Sequence, residues 1–319
     1  MARREMACKG VKLIITPQDA CLYVGQHKSS RAAWRAYCKN IGKVAWSTFQ
    51  AKAREGKALA GKHIEVPTVV IPSVQQTAVA FYDIHFPHED QAAIDCAVEY
   101  VRSELGQPDT LIFGGDALDC ESVSRWAHDP FDTMPIHEEF DYAAQRIECL
   151  VKSIGARRRV YIKGNHEDRL QRYLWDKAPK VCKLKGLTVQ EQLGLESLGV
   201  EWVDNLDRKS KGQEFFHIGK LYILHGHEFG TCPRVNPARQ YMLRALDNMI
   251  CGHVHKIDRF PATTVAGKTI AAWVCGPLCN LHPVYRPQND WQQGFAMIKW
   301  YTDGYFHVEQ RQIIEGRVL

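Results

Sequence analysis

The sequence predicts an α/β sandwich with mixed sheets, preceded by a small basic helical segment. From Thr77 onward, segments typical of buried strands alternate with segments of helical periodicity, and strands cluster towards the C-terminus. The net charge also differs in sign between the helical segment and the rest of the sequence. Residues 1–62 contain 13 Lys and Arg against 3 Asp and Glu, a net charge of +10, whereas the remaining residues carry a net charge of −5.

The basic segment is expected to fold as two short helices. Residues 17–40 form the first, and the second runs from Ser47 or Thr48 to about Ala60, with Gly42 in the turn between them. A pair of short helices around a glycine turn is similar to a helix-turn-helix. A basic pair of this kind suits a polyanionic partner, and a solvated arm without such a partner is the alternative.

The stretch that follows, residues 63–76, contains two prolines and is expected to be an extended linker. The predicted domains are therefore the helical segment 1–62, this linker, and an α/β domain over residues 77–319. In that domain the expected strands are 77–86, 109–116, 157–167, 220–228, 248–255, 263–276, 294–302 and 305–314. The expected helices are 90–105, 137–155, 167–178 and 237–247.

The composition excludes several classes of protein. With 45% hydrophobic and 24% charged residues it is that of a globular chain. No run approaches the ~18 apolar residues of a membrane span, and the N-terminus has no apolar signal core, so no membrane association and no secretion are expected. The 11 cysteines include no C-x-x-C pair, which argues against a disulfide framework or a cysteine zinc site. These features predict a cytoplasmic protein.

Five of the expected strands end in polar motifs that the interior of a strand would not carry. They are Asp83-Ile84-His85, Gly115-Asp116-Ala117-Leu118-Asp119, Gly164-Asn165-His166-Glu167, His225-Gly226-His227 and Gly252-His253-Val254-His255. Sites in open α/β sheets form just outside strand ends, so these loops are expected to converge. On extended backbone, the two members of Asp83/His85 and of His253/His255 would point the same way.

Together the motifs supply carboxylate oxygen, amide oxygen and imidazole nitrogen. This mixture suits two divalent first-row metal ions, with Mn²⁺ favoured and Fe²⁺, Zn²⁺ or Ni²⁺ as alternatives. Magnesium alone would prefer fewer imidazoles, and calcium would prefer only oxygens.

The order D-x-H, G-D-x-x-D, G-N-H-E, H-G-H and G-H-x-H resembles the calcineurin-like metallophosphoesterase superfamily over roughly residues 77–310. The resemblance implies a four-layer αββα sandwich with two metal ions at the strand ends and a phosphoesterase activity. Two such ions would lower the pKa of a bound water and supply hydroxide as the nucleophile. The resemblance also implies the ligands: Asp83, His85 and His255 for the first ion, Asp116 as the bridge, and Asn165, His225 and His253 for the second ion.

Two further residues take catalytic roles in this resemblance. His166 would bind no metal but would stabilise the transferring phosphoryl group or protonate the leaving oxygen. Asp119 would orient His166 or a metal ligand. Both residues belong to motifs that also contain predicted ligands.

Departures from relatives narrow the expected substrate. The Ser/Thr protein phosphatases of the superfamily resemble G-D-x-V-D-R-G at the second motif, whereas here Cys120 and Glu121 follow Asp119, and the arginine is absent. A phosphodiesterase remains. The basic segment further suggests that this phosphodiesterase is a nuclease that acts on DNA. Its candidate nucleic-acid contacts are Lys43, Lys52, Arg54 and Lys57. The compact length and the basic arm also resemble phosphoesterases carried by bacteriophages.

Other functions and partners stay open at this stage. The substrate could be a small nucleotide or a cyclic phosphodiester, or the chain could be a DNA-binding protein with a structural metal site. Arg286 is a candidate substrate contact in the stretch 280–293, which also contains Trp291. A homodimer is a further open possibility.

Overall fold

The computed structural model describes residues 20, 26–40, 45–60, 76–127, 129, 131, 133–206, 215–230, 235–284 and 286–319. The chain forms two compact units, Met1–Val70 and Ile71–Leu319. Apart from Gln76, which begins the first strand, the predicted linker lies outside the described residues. No helix in the described ranges has the length and apolar character needed to cross a membrane.

The first unit contains the helices α1 (Ser30–Asn40) and α2 (Trp46–Ala60). Helix α1 begins at Ser30, where the Ser29 hydroxyl accepts a hydrogen bond from the backbone N–H of Ala32 at 3.2 Å and caps the helix. Of the predicted helical stretch before Ser30, only Ala20, which is helical, and residues 26–29 are described. A small apolar core joins the two helices and consists of Ala20, Ala33, Tyr37, Phe49 and Ala53. The expected pair of short helices is present, while Gly42 lies outside the described residues.

Within its described residues the second unit contains twelve strands. They are β1 (Gln76–Phe81), β2 (Thr110–Phe113), β3 (Arg158–Ile162), β4 (Val200–Val203), β5 (His217–Ile218), β6 (Leu221–Ile223), β7 (Met249–Cys251), β8 (Asp258–Thr263), β9 (Thr269–Val274), β10 (Gly294–Trp300), β11 (Phe306–Ile314) and β12 (Arg317–Val318). Its helices are α3 (Gln91–Leu105), α4 (Ile136–Ile154), α5 (Glu167–Lys177), α6 (Val189–Gln192) and α7 (Pro237–Ala245).

The strands form two sheets. The first has the order β12-β11-β10-β1-β2-β3-β4, and the second has the order β5-β6-β7-β9-β8. Strands β1 to β4 are parallel, as are β6, β7 and β9. The remaining strands, β10 to β12 of the first sheet and β5 and β8 of the second, pair antiparallel. Parallel central strands place their carboxyl ends at one edge of each sheet, and this is where the polar motifs follow.

The alternation of side chains along the strands divides the interior of this unit into three hydrophobic cores. Val79 and Phe81 of β1 face the core that contains α3 and α4, whereas Ala78 and Ala80 face the core shared with the second sheet. A third core packs Tyr241 of α7 and its neighbours against the other face of the second sheet. The layers are therefore helix, sheet, sheet and helix, which confirms the predicted αββα sandwich.

Candidate metal centre

The polar motifs converge at the carboxyl ends of β1, β2 and β3 in the first sheet and of β6 and β7 in the second. Their residues are Asp83, His85, Asp116, Asn165, His166, His225, His253 and His255. Five of these residues are buried: Asp83, Asp116 and His225 are at most 2% exposed, and His85 and His255 are 7% and 8% exposed. Buried carboxylates and imidazoles need partners, and here they are one another's neighbours.

The backbone at these strand ends is left-handed rather than extended. Asp83, His85 and Asp116 have φ of 51°, 54° and 49°, and His253 and His255 have φ of 71° and 59°. The expectation of extended backbone is therefore wrong, although Asp83 and His85 still belong to one donor group. The tight turns let His253 and His255 reach different parts of the centre. Backbone of this kind is costly for residues other than glycine and is typical of functional sites.

One group of donors consists of Asp83, His85 and His255. The Nε2 atoms of His85 and His255 lie 3.2 Å apart, and His255 Nε2 lies 3.6 Å from Asp83 Oδ1. The Asp83 Oδ1 atom is buried and accepts no hydrogen bond among the described residues, while Oδ2 accepts one from the His253 N–H at 2.8 Å. A buried carboxylate oxygen without a hydrogen-bond donor is the atom that a cation would contact.

A second group consists of Asp116, His225 and His253. His225 Nε2 lies 3.1 Å from Asp116 Oδ2 and 3.2 Å from His253 Nδ1. The Asn165 amide oxygen is also 3.2 Å from His225 Nε2, so it joins this group. Gly115 is required here because its φ is 97° and an added Cβ would lie 2.6 Å from the His225 Nδ1.

Asp116 lies between the two groups. It belongs to the second group and also to a cluster with His85 and His166. The His166 backbone N–H donates to Asp116 Oδ1 at 2.9 Å, so this carboxylate is fixed by the loop after β3. Two imidazole-rich groups linked by a carboxylate provide the oxygen and nitrogen donors that divalent first-row ions prefer, and the residues present fit such ions.

The packing also sets the pKa values of these groups. Burial would raise the pKa of Asp116, but His225 and His166 outweigh it and hold that pKa well below its usual range. Burial would lower the pKa of His225, but the carboxylate of Asp116 raises it to about 10. Burial followed by the charge of His225 lowers the pKa of His253 to about 4. The carboxylates therefore stay ionised, as cation ligands must be.

His166 lies beside the donors with both ring nitrogens in contact. Its Nδ1 is 2.7 Å from Asp119 Oδ1, and its Nε2 is 3.7 Å from Asp116 Oδ2. Burial lowers the pKa of His166, but Asp116 and Asp119 outweigh it and raise that pKa above its ordinary value. Arg169, one turn along α5, approaches His166 Nε2 at 2.8 Å through Nη2. A histidine so placed can hold and release a proton near neutral pH.

Three buried glutamates bind the backbone of the ligand loops. Glu167 accepts from the N–H groups of Asp116, Leu118 and Gly164 at 2.8–3.2 Å. Glu228 accepts from the N–H groups of His225 and Gly226 at 3.1 and 2.6 Å. These carboxylates hold the loops without being donors of the centre.

The third of these glutamates, Glu139 of α4, accepts from the N–H groups of Asp119 and Cys120 at 3.1 and 2.5 Å. The five sequence motifs do not include Glu139, Glu228 or Arg169. Glu228 directly follows one of the motifs and Arg169 is the second residue after another, and that proximity could have found them. Glu139 lies 20 residues from its partner Asp119 with no spacing signal.

The remaining candidate contact residues belong to two parts of the sequence, the stretch 280–293 and the first unit. Arg286 is not among the residues that line the cleft beside His85, whereas Trp291 lines it and packs 4.2 Å from the His255 ring. In the first unit Arg54 is exposed, and Lys52 forms an ion pair with Glu55 at 2.8 Å. Lys43 and the side chain of Lys57 lie outside the described residues.

An αββα sandwich with such donors at its strand ends defines a metallophosphoesterase. The sequence model of the calcineurin-like phosphoesterase family matches residues 83–257, which is more than half of the chain. The chain therefore belongs to the calcineurin-like phosphoesterase family, and the protein is a metal-dependent phosphoesterase. This confirms the resemblance seen in the motifs.

The matching proteins include two from mycobacteriophages. The chain is 28% identical to the Gene 54 protein of Mycobacterium phage L5 over 242 residues, which cover 69% of this chain and 87% of the relative. It is 26% identical to the Gene 54 protein of Mycobacterium phage D29 over the same shares. A solved structure of a Vps29 single mutant from Entamoeba histolytica matches 76% of this chain and 96% of its own, with 14% identity and a TM-score of 0.38, too low to support an argument. The phage relatives agree with the expected phage-type phosphoesterase.

Proposed function

We propose that this protein hydrolyses phosphodiester bonds in nucleic acid with two divalent cations, Mn²⁺ being favoured. The observation that carries the proposal is that Asp116 belongs to the second donor group and also clusters with His85 of the first group, beside His166. Bound there, divalent cations would act as Lewis acids on the phosphoryl oxygens and lower the pKa of a bound water. One cation would take Asp83, His85 and His255, the other would take Asn165, His225 and His253, and Asp116 would serve both.

The chain's own residues handle the leaving group. Asp119 holds Nδ1 of His166 at 2.7 Å. The other ring nitrogen, Nε2, lies 3.7 Å from Asp116 Oδ2 and therefore faces the metal centre. From there it can protonate the leaving oxygen or contact the phosphoryl group. The second motif lacks the arginine of protein phosphatases, which favours a diester over a phosphoprotein substrate.

A nucleic-acid substrate is supported by charge. The net charge of +10 over residues 1–62 would attract a polyanion and release its counterions on binding. In this proposal the basic unit binds the backbone and the centre in residues 71–319 carries out the hydrolysis.

A small nucleotide or cyclic phosphodiester is the second candidate, and one observation favours it. A cleft of about 390 Å³ lies against His85 and has Trp291 and His282 in its walls. Its volume lies at the lower end of ordinary small-molecule pockets, and an aromatic wall suits a single base.

Hydrolysis of bis-p-nitrophenyl phosphate with Mn²⁺ between about pH 6 and 9, run beside single- and double-stranded DNA, tests the proposal. Turnover of the diester and of DNA is expected. No turnover of any substrate would leave only a DNA-binding protein with a structural metal site. Hydrolysis of cyclic nucleotides without cleavage of DNA would select the second candidate. The full chain is compared with a chain lacking residues 1–62, and the deletion should reduce DNA affinity and its salt slope while sparing hydrolysis of the small diester.

A further inference from the structure

A second cleft, of about 610 Å³, opens beside the metal centre. Asn165 and Arg169 form its inner end, since Asn165 Oδ1 is 3.2 Å from His225 Nε2 and Arg169 Nη2 is 2.8 Å from His166 Nε2. The cleft therefore begins at the donors themselves. Its remaining walls come from α5 and from the loop that contains Arg125 and Trp126.

One face of α5 forms a wall of this cleft. Arg169, Arg172, Tyr173, Asp176 and Lys177 line it, and their spacing of three, four, seven and eight residues places them on one side of a helix. At 1.5 Å per residue, Arg169 and Lys177 are separated by about 12 Å along the helix axis. This is about three steps of a stacked strand at about 3.4 Å each, so the cleft is longer than one nucleotide.

Two aromatic side chains in the cleft present their rings to solvent. Trp126 is 65% exposed and Tyr173 is 43% exposed. The Arg125 guanidinium lies 4.8 Å from the centroid of the Trp126 ring, a cation–π contact that orients the indole. Exposed aromatic rings between cationic side chains are the surface on which unpaired bases stack.

The charges of the cleft favour phosphates. Among the described residues of its walls, Arg125, Arg169, Arg172 and Lys177 face one carboxylate, Asp176, which pairs with Lys177 at 2.8 Å. Arg172 also pairs with Asp168 of the same helix at 3.0 Å. The cleft beside His85 is the opposite case, because three carboxylates, Asp119, Glu121 and Asp129, line it and would repel a run of phosphates.

We propose that the cleft along α5 binds a single strand of nucleic acid, with bases against Trp126 and Tyr173 and phosphates on Arg169, Arg172 and Lys177. A single strand fits because the bases of a duplex are stacked on each other and cannot reach the rings. The strand enters along α5 and delivers a phosphodiester to the centre at Asn165 and Arg169. What happens to it there rests on the proposed function, whereas the binding does not.

The test measures binding of fluorescent 12-residue oligo(dT) and oligo(rU) by anisotropy in EDTA, with the full chain. Trp126→Ala and Tyr173→Ala should each weaken binding by about 10-fold. The double variant Arg172→Ala/Lys177→Ala should lower the slope of log K against log salt by about 1.4, since each phosphate contact on a single strand contributes about 0.7. Matched controls are Trp175→Ala, which removes a 62% exposed indole of α5 outside the cleft walls, and Lys152→Ala on α4. Both controls should bind as wild type.

The outcomes separate the two proposals. Oligonucleotide binding that the cleft variants leave at wild-type strength would overturn the single-strand cleft, even if the protein hydrolyses bis-p-nitrophenyl phosphate. Weakened binding in a protein without diesterase activity would support the cleft and overturn the proposed function. Tighter binding of a duplex through the same residues would also overturn the single-strand assignment. A preference for oligo(dT) or oligo(rU) that the cleft variants abolish would support it. Thermal unfolding at the wild-type midpoint shows that each variant is folded.

Discussion

The Nδ1 atom of His166 lies 2.7 Å from Asp119 Oδ1, and the same oxygen lies 3.3 Å from Nδ1 of His85. One carboxylate thus orients two imidazoles, one of them a predicted metal ligand and the other the proposed proton donor. Asp119 was expected to orient His166 or a ligand, and the geometry places it against both.

Replacing Asp119 by Asn should lower activity by about 10- to 100-fold and shift the alkaline limb of the pH–rate profile to lower pH. Burial lowers the pKa of His166 while the Asp116 and Asp119 carboxylates raise it, so removing one charge lowers that pKa. A general acid is lost as pH rises through its pKa. Profiles of kcat for Asp119→Asn and for the exposed control Asp141→Asn measure the shift. An alkaline limb at its wild-type position would contradict the orientation of His166 by Asp119.

Replacing Asp116 by Asn should abolish turnover and lower the metal content of purified protein. The carboxylate that links the two donor groups would become a neutral amide, a much weaker ligand for divalent ions. Elemental analysis after dialysis gives the metal content per chain, with Asp141→Asn as the control. Wild-type metal content in Asp116→Asn would exclude the shared role of this residue.

Replacing His166 by Ala should lower turnover by about 10²- to 10⁴-fold while metal content stays at its wild-type level. The loss should be greater for DNA than for bis-p-nitrophenyl phosphate, because nitrophenolate leaves without protonation and an alkoxide does not. Steady-state kinetics on both substrates measure the difference. A variant that loses metal instead would make His166 a ligand.

The buried carboxyl of Glu139 should make stability depend on pH. Burial raises its pKa from 4.5 to about 7, although the Cys120 N–H opposes the shift. A raised pKa means that folding favours the neutral acid, so the contribution is complete below about pH 4.5 and is lost as pH rises through about 7. Gln keeps an acceptor oxygen for the N–H groups of Asp119 and Cys120 without the charge. Glu139→Gln should therefore exceed the wild-type free energy of unfolding at pH 8 by up to about 3 kcal/mol.

Glu139→Ala is the contrasting variant, for which a loss of stability is expected. It leaves two buried N–H groups unpaired and should cost about 2 kcal/mol or more at either pH. Chemical denaturation of the three proteins at pH 5 and pH 8 gives these values. Equal stability of wild type and Glu139→Gln at pH 8 would show that Glu139 is ionised without strain in the folded protein.

Replacing Lys43, Lys52, Arg54 and Lys57 together by Ala should weaken duplex DNA binding and reduce its salt slope by about 3 to 4, since each phosphate contact contributes about 0.9. The matched control removes four exposed cationic residues from the second unit, Lys152, Arg157, Lys220 and Lys268. Titrations at several salt concentrations give the slopes. Equal slopes in the two variants would show that the basic unit acts through total charge alone.

The donors of the centre could be predicted from the sequence because each belongs to a short motif directly after a buried strand. The left-handed backbone at Asp83 and His255 could not, since the turn depends on both sheets being in place. Strand β4 was missed because it is a four-residue edge strand that packs on β3 alone, too short to show a period. Residues that contact the site from distant positions in the sequence, as Glu139 contacts Asp119, leave no spacing pattern in the sequence.

Glu139, Glu167 and Glu228 accept hydrogen bonds from the backbone of the ligand loops, and these bonds affect how the centre binds a cation. Because these carboxylates order the loops during folding, the conformational entropy of the loops is already lost before any ion arrives. Binding then involves mainly dehydration of the ion and release of protons from the imidazoles. We therefore expect a preassembled centre of this kind to exchange one divalent ion for another without refolding.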